Sequence, residues 1–208
     1  MYIPSDFKME KPEEILAFMQ QYNFAIMVSV SVSVSSLDNK LHATHLPFMI
    51  NYENDNLIIA AHFAKENLQA QHIDKQEVML IFSEPHAYIS PTLYNSYPNV
   101  PTWNYVAIHV YGVVKMLNED ETLLLMEKTV AHFEPEKEKF WDNLPKNYRK
   151  SLLNDLLAFE ITATRVEAQK KISQNKTQKD KHNIIENLAQ SQDANAREIA
   201  KIMEKEGK

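Results

Sequence analysis

The chain has 208 residues, a formal net charge of −6, 44% hydrophobic and 24% charged residues, which suits one globular domain and sets up no global positive field for nucleic acid or anionic lipid. With no cysteine and only two glycines, Gly112 and Gly207, it excludes a disulfide framework, a thiolate metal site, a glycine-rich dinucleotide fingerprint and a P-loop. Its apolar runs are too short to span a bilayer, and MYIPSDFKMEKPEE lacks the basic start and apolar stretch of a secretion signal, so a cytoplasmic location is expected.

In chain order, Ile15, Leu16, Met19 and Tyr22 recur at helical spacing after Pro12, which suits a first helical position. Residues 24–34 predict a strand. The valine/serine alternation from Val28 to Ser35 predicts a buried valine face and a polar serine face. Leu37 to Lys40 turn the chain into LHATHLPFMI, a second strand in a hairpin, where Pro47 demands an edge or a bulge. LIIAAH predicts a third strand, residues 64–73 a helix and VMLIF a buried fourth strand. Residues 104–117 predict a long fifth strand with Val106, Ile108, Val110 and Val114 toward the core; Tyr105, Ala107, His109 and Tyr111 then face a site or an interface. Helices follow over 120–133 and 148–153, then a sixth strand from LLAFEIT to about residue 168, and two helical segments over 178–206 that break near SQDAN. Six mostly sequential strands with few interposed helices fit a mainly β (α+β) small barrel flanked by helices rather than a doubly wound sheet. The expected organisation is one domain over 1–208, with a barrel core at about 22–168 and a helical tail at about 178–206.

The stretch 85–111 concentrates Pro85, Pro91, Pro98 and Pro101 with six tyrosine or tryptophan rings. Stiffened loops and amphipathic rings suit a planar polar ligand or a subunit interface. His42 and His45 fall on opposite faces of a strand, and no His-Glu-x-x-His pattern occurs, so no metal site is expected. Without a G-x-S-x-G elbow a serine hydrolase is not expected either. In HFAKENLQAQ a helix start beside Lys65 is either a phosphate site or a solvated helix end. The five lysines within residues 169–182 read as a phosphate or nucleic-acid contact or as a solvated loop. Arg197, Lys201 and Lys205 form a stripe on the last helix, but Glu198, Glu204 and Glu206 nearly cancel it, which argues against classical major-groove reading.

MYIPSDF, ATHLPF, HFAKENLQ, PHAYISPTLY, VPTWNY, HVYG and KISQN followed by KTQKD occur in this order. From Met1 to about Leu188 the chain resembles the PaiB-like family of FMN-binding negative transcriptional regulators. The resemblance implies a split β-barrel related to the pyridoxine 5′-phosphate oxidase and flavin reductase folds, usually a homodimer with FMN at the subunit interface. It implies that Thr44, His45, Leu46, Lys65, Asn67, Ser173, Gln174 and Asn175 hold the cofactor phosphate side, and that the isoalloxazine lies near Trp103, Asn104 and His109. Leu68, Ala25 and Leu93 depart from the proline, glycine and tryptophan common in relatives. Regulation and a DNA partner come with the family label alone. Two alternatives are a flavin-dependent oxidoreductase, with His109 and Tyr105 the first acid or base candidates, and a flavin-free dimer joined by the aromatic face.

Overall fold

The structure, a computed structural model, describes residues 1–31, 40–134, 136 and 139–206. The elements are α1 (Pro12–Gln21), β1 (Phe24–Ser31), β2 (Lys40–Pro47), β3 (Met49–Glu53), β4 (Asn56–Ala64), β5 (Glu77–Phe82), β6 (His86–Ile89), β7 (Thr102–Met116), α2 (Glu119–Phe133), α3 (Lys146–Leu153), β8 (Leu156–Lys171), α4 (Gln178–Ala189) and α5 (Ala194–Glu206). The strand order is β2-β1-β5-β7-β8-β4-β3, with β6 paired to β7. The pairs β1–β2, β1–β5, β3–β4, β4–β8 and β6–β7 are antiparallel. Among the described residues no helix is long and apolar enough to cross a membrane.

Eight strands replace the six expected. LHATHLPFMI is two strands, because Pro47 has no N–H for a ladder and the Phe48 N–H donates back to the Asn23 carbonyl at 2.9 Å. Beyond that corner β2 pairs with β1 and β3 with β4. The second addition, β6, buries Ala87 and Ile89, exposes His86 and Tyr88, and pairs with the start of β7. The helix expected over residues 64–73 is a single 3-10 turn, Leu68–Gln71. The Lys65 N–H is drawn to the Asp155 carbonyl, and Asn67 caps the turn by accepting from the Gln69 N–H.

The faces of β1 are the reverse of those expected. Ala25, Met27 and Ser29 are buried, whereas Val28 is half-buried and Val30 exposed. The inward serine is tolerated because Gln69 Nε2 donates to its hydroxyl at 2.9 Å. Residues 32–35, where the same pattern continues, and most of the following turn lie outside the described residues. On the outer face Val30 pairs with Leu41, Val28 with Ala43, Ile26 with His45 and Phe24 with Pro47. Phe24 and Leu41 are 65% and 77% exposed, so this face is an apolar patch.

Contacts divide the chain into two compact units. The first comprises Met1–Ile15, Phe82–His109 and the chain from Glu167 on; the second comprises Leu16–Ile81 and Val110–Val166. In the second, Met19, Met27, Phe48, Ile59, Phe63, Leu80, Phe159 and Ile161 are fully buried, with the Phe63 and Phe159 rings stacked at 4.8 Å. In the first, α4 and α5 pack Ile184, Leu188, Ile199 and Met203 with Ala87, Ile89 and Tyr94. Buried Lys170 there pairs with both Glu14 and Glu206. Burial opposes its charge, but the two carboxylates outweigh it and raise its pKa.

Gly112 is required by close packing rather than by a special dihedral. A Cβ there would lie 2.5 Å from Ile161 Cγ2 and 2.5 Å from the Thr162 carbonyl oxygen, and the latter is backbone that cannot swing aside. Gly112→Ala is expected to destabilise the fold by about 1–3 kcal/mol. Urea unfolding should show a lower midpoint with an unchanged slope; an unchanged midpoint would mean that β7 and β8 can separate there without cost.

Candidate functional site

The second unit holds a connected polar cluster under the β1–β2 pair. The Thr44 hydroxyl donates to Gln69 Oε1 at 2.6 Å and accepts from Asn67 Nδ2 at 3.1 Å. Gln69 Nε2 reaches Ser29 Oγ at 2.9 Å and the Met27 carbonyl at 3.3 Å. Ser29 Oγ lies 3.4 Å from His72 Nε2, and Ser31 Oγ 3.0 Å from His42 Nε2. The two imidazole rings are 4.5 Å apart. Asn67 positions the cluster through its cap and lies against Thr44. Ser29, Ser31, His42 and His72 are members that sequence reasoning did not place in a site. Gln69 did carry a signal, two residues beyond an Asn at a turn start.

The strand pleat separates the other residues of this set. His45 lies on the opposite face of β2 from Thr44, exposed and stacked on Phe24 at 6.1 Å, whereas Leu46 is buried. The Lys65 ammonium lies 3.4 Å from the Asn154 carbonyl oxygen, beside α2 and α3.

In the first unit the β6–β7 pair presents an aromatic wall. The Trp103 ring is 51% exposed, with Tyr88 edge-on at 5.8 Å and His86 at 5.9 Å. Tyr105 and His109 follow on the same face of β7. His109 Nδ1 is buried with no hydrogen-bond partner among the described residues. Asn104 points the other way and is fully buried. Its Oδ1 accepts from Ser173 Oγ at 3.0 Å, and its amide approaches Met203 Sδ at 3.6 Å.

The lysine-rich run is structural along much of its length. Lys170 pairs with two carboxylates, Lys171 donates to Thr102 Oγ1, and Lys176 sits 4.4 Å from the Tyr94 ring centroid. Ser173 has a left-handed φ of 63°. The Gln174 side chain closes the same turn, accepting from the Ile172 N–H at 2.8 Å and donating to the Lys170 carbonyl, while Asn175 is exposed. Thr177 caps α4. Asp180 is held at about 2 by the Asn95 N–H, the Thr177 hydroxyl and the Asn95 amide.

Each unit by itself offers groups that fit part of a flavin in kind. An exposed indole flanked by two rings suits a planar heterocycle, a buried imidazole nitrogen without a partner suits a ring heteroatom, and a hydroxyl–amide pair at a turn suits phosphate oxygens. Among the described residues no three His, Asp or Glu side chains are placed to share a metal ion.

Burial lowers the pKa of His62, His72 and His109. The charge of His42 adds to this at His72, where the Leu68 carbonyl opposes it; the N-terminal ammonium adds to it at His109, where Glu167 opposes it. A depressed folded-state pKa contributes stability that is complete above the unfolded value of 6.5 and is lost as pH falls below it. The unfolding midpoint should therefore drop between about pH 7 and pH 5, near the ordinary histidine range. His109→Gln should flatten that dependence, and an equally steep profile in the variant would contradict the assignment. Asn67→Ala should cost about 1 kcal/mol through loss of the cap, read by urea unfolding, and no loss would show the cap to be idle.

Residues 1–165 match the family described as "Putative FMN-binding domain". The chain is 38% identical to protease synthase and sporulation protein PAI 2 of Bacillus subtilis over 98% of its own length and 97% of that protein's. An uncharacterized protein of Emericella nidulans is 25% identical over 70% of this chain and 74% of its own. Among solved structures, the flavocytochrome Anf3 from Azotobacter vinelandii shares 9% identity with a TM-score of 0.56, over 79% of this chain and 69% of that one. An FAD and heme binding protein from Mycobacterium smegmatis shares 10% with a TM-score of 0.58, over 79% and 73%. The fold is thus the antiparallel, mostly-strand split barrel with flanking helices that was expected in class, with two more strands. The chain belongs to the PaiB-like family of FMN-binding proteins, and FMN is its cofactor.

Proposed function

We propose that the protein is a cytoplasmic, homodimeric, FMN-binding regulator of the PaiB type that represses transcription. The observation that carries the flavin reading is the half-exposed Trp103 wall with the partnerless His109 Nδ1 on the same strand face. The regulatory part is supported by likeness across nearly the whole chain to a protein named for protease synthesis and sporulation. In this reading Trp103 stacks on the isoalloxazine, Tyr88 borders it edge-on to the indole, and His109 meets a ring heteroatom. In the second unit, the Asn67 amide keeps one N–H beyond its bond to the Thr44 hydroxyl and is the donor offered to a phosphate, with Thr44 holding it in place. Asn104, Ser173 and Gln174 position the turn after β8, beside which exposed Asn175 stands. The apolar face bearing Phe24, Val30, Leu41 and His45 receives the second copy, since an uncovered patch of this kind favours association.

Bound FMN supplies one- or two-electron transfer, and the protein supplies its orientation. A second reading, a flavin-dependent oxidoreductase, is favoured by His109, whose burial favours the neutral imidazole and whose Nδ1 has no hydrogen-bond partner among the described residues. The tail gives DNA little purchase, because Arg197 donates to the Ser191 and Gln192 carbonyls and Lys201 pairs with Glu198.

FMN at about a hundred times its dissociation constant should stabilise the flavin-stripped protein by roughly 2.7 kcal/mol, riboflavin at the same concentration by much less. Thr44→Ala with Asn67→Ala should narrow that difference, and an undiminished difference would remove the pair from the phosphate. Repression predicts that the FMN-loaded protein binds its own upstream DNA with an affinity that falls steeply with salt. Bleaching of bound FMN by NADH without such binding would favour the oxidoreductase.

A further inference from the structure

Apart from the flavin residues, a cavity of about 610 Å³ lies in the second unit, lined by α2, α3, the start of β8 and Lys65. Its apolar wall is Leu117, Leu123, Leu153, Leu156 and Leu157; its charged lining is Lys65, Lys146, Arg149 and Lys150 against Glu119, Asp120 and Glu127. Arg149 and Glu127 stand 3.8 Å apart, and Lys150 and Glu119 3.9 Å. Lys65 and Lys146 have no carboxylate partner among the described residues, and the contact of Lys65 is a long one, 3.4 Å to the Asn154 carbonyl oxygen. The acids Glu119 and Asp120 belong to the first turn of α2, where the helix dipole accounts for them. That helix start is already closed by a capping box between Asn118 and Glu121, so an incoming anion would meet the lysines rather than open amides.

We propose that this cavity binds an amphipathic anion, an aliphatic body with a carboxylate or phosphate head, and that Lys65 serves this site rather than the flavin phosphate. A volume of this size lies within the range of small-molecule pockets and exceeds what a bare inorganic anion fills. Five leucines suit an apolar body, and two ammonium groups without a carboxylate partner among the described residues suit a negative head. The proposal goes beyond the flavin reading and does not depend on it.

The test uses the full-length protein loaded with FMN and isothermal titration with decanoate, decyl phosphate, decanol and decylammonium. The two anions should bind, decanol more weakly and decylammonium not at all; decanoate against decyl phosphate distinguishes the head groups. Lys65→Ala and Lys146→Ala, both at exposed positions that leave the fold intact, should each weaken the anions about tenfold, equivalent to losing one charge-assisted hydrogen bond. FMN affinity should be unchanged in both. Equal binding of all four probes, unchanged anion affinity in both variants, or displacement of the anions by excess FMN would overturn the proposal.

Discussion

The two-residue period of β7 decides what this protein can present to a ligand. Asn104, Val106, Ile108 and Val110 are buried, so Trp103, Tyr105 and His109 must share the other face. The core residues fix the strand, and the strand in turn holds an indole and an imidazole at a set spacing. Such a pair needs no loop closure to form, which is the kind of preorganisation that a planar cofactor exploits.

A second constraint is polar satisfaction. Ser29 and Gln69 are 3% and 1% exposed and bond each other; Gln69 also meets Thr44 and the Met27 carbonyl, and Ser29 meets His72. Thr44 on β2 is thereby held against Asn67 at the bend after β4. Lys170 does the same for the first unit, drawing the start of α1 and the end of α5 to the end of β8. A charge so buried depends on both carboxylates.

Much of this was legible in the chain itself. The core face of β7, the amphipathic helices and the hairpin with the Pro47 corner follow from period and from proline's missing N–H. What misled was adjacency. VPTWNY and ATHLPF each present neighbours as one motif, but the pleat sends Asn104 away from Trp103 and Thr44 away from His45. The valine/serine alternation fixed a period and not a direction, since the inward face is chosen by Gln69, 40 positions from Ser29. The lysine run looked like a surface because the partners of Lys170 are remote, Glu14 lying 156 positions away.

The chain contains two tryptophans, Trp103 and Trp141, of which Trp141 is buried and Trp103 half exposed. Trp141→Phe leaves Trp103 as the sole indole, and its emission during an FMN titration tests the flavin wall directly. The account predicts saturable quenching of the indole emission that tracks FMN binding and disappears in the Trp103→Leu variant of that background. FMN binding with Trp103 emission intact would contradict it and place the isoalloxazine on another surface.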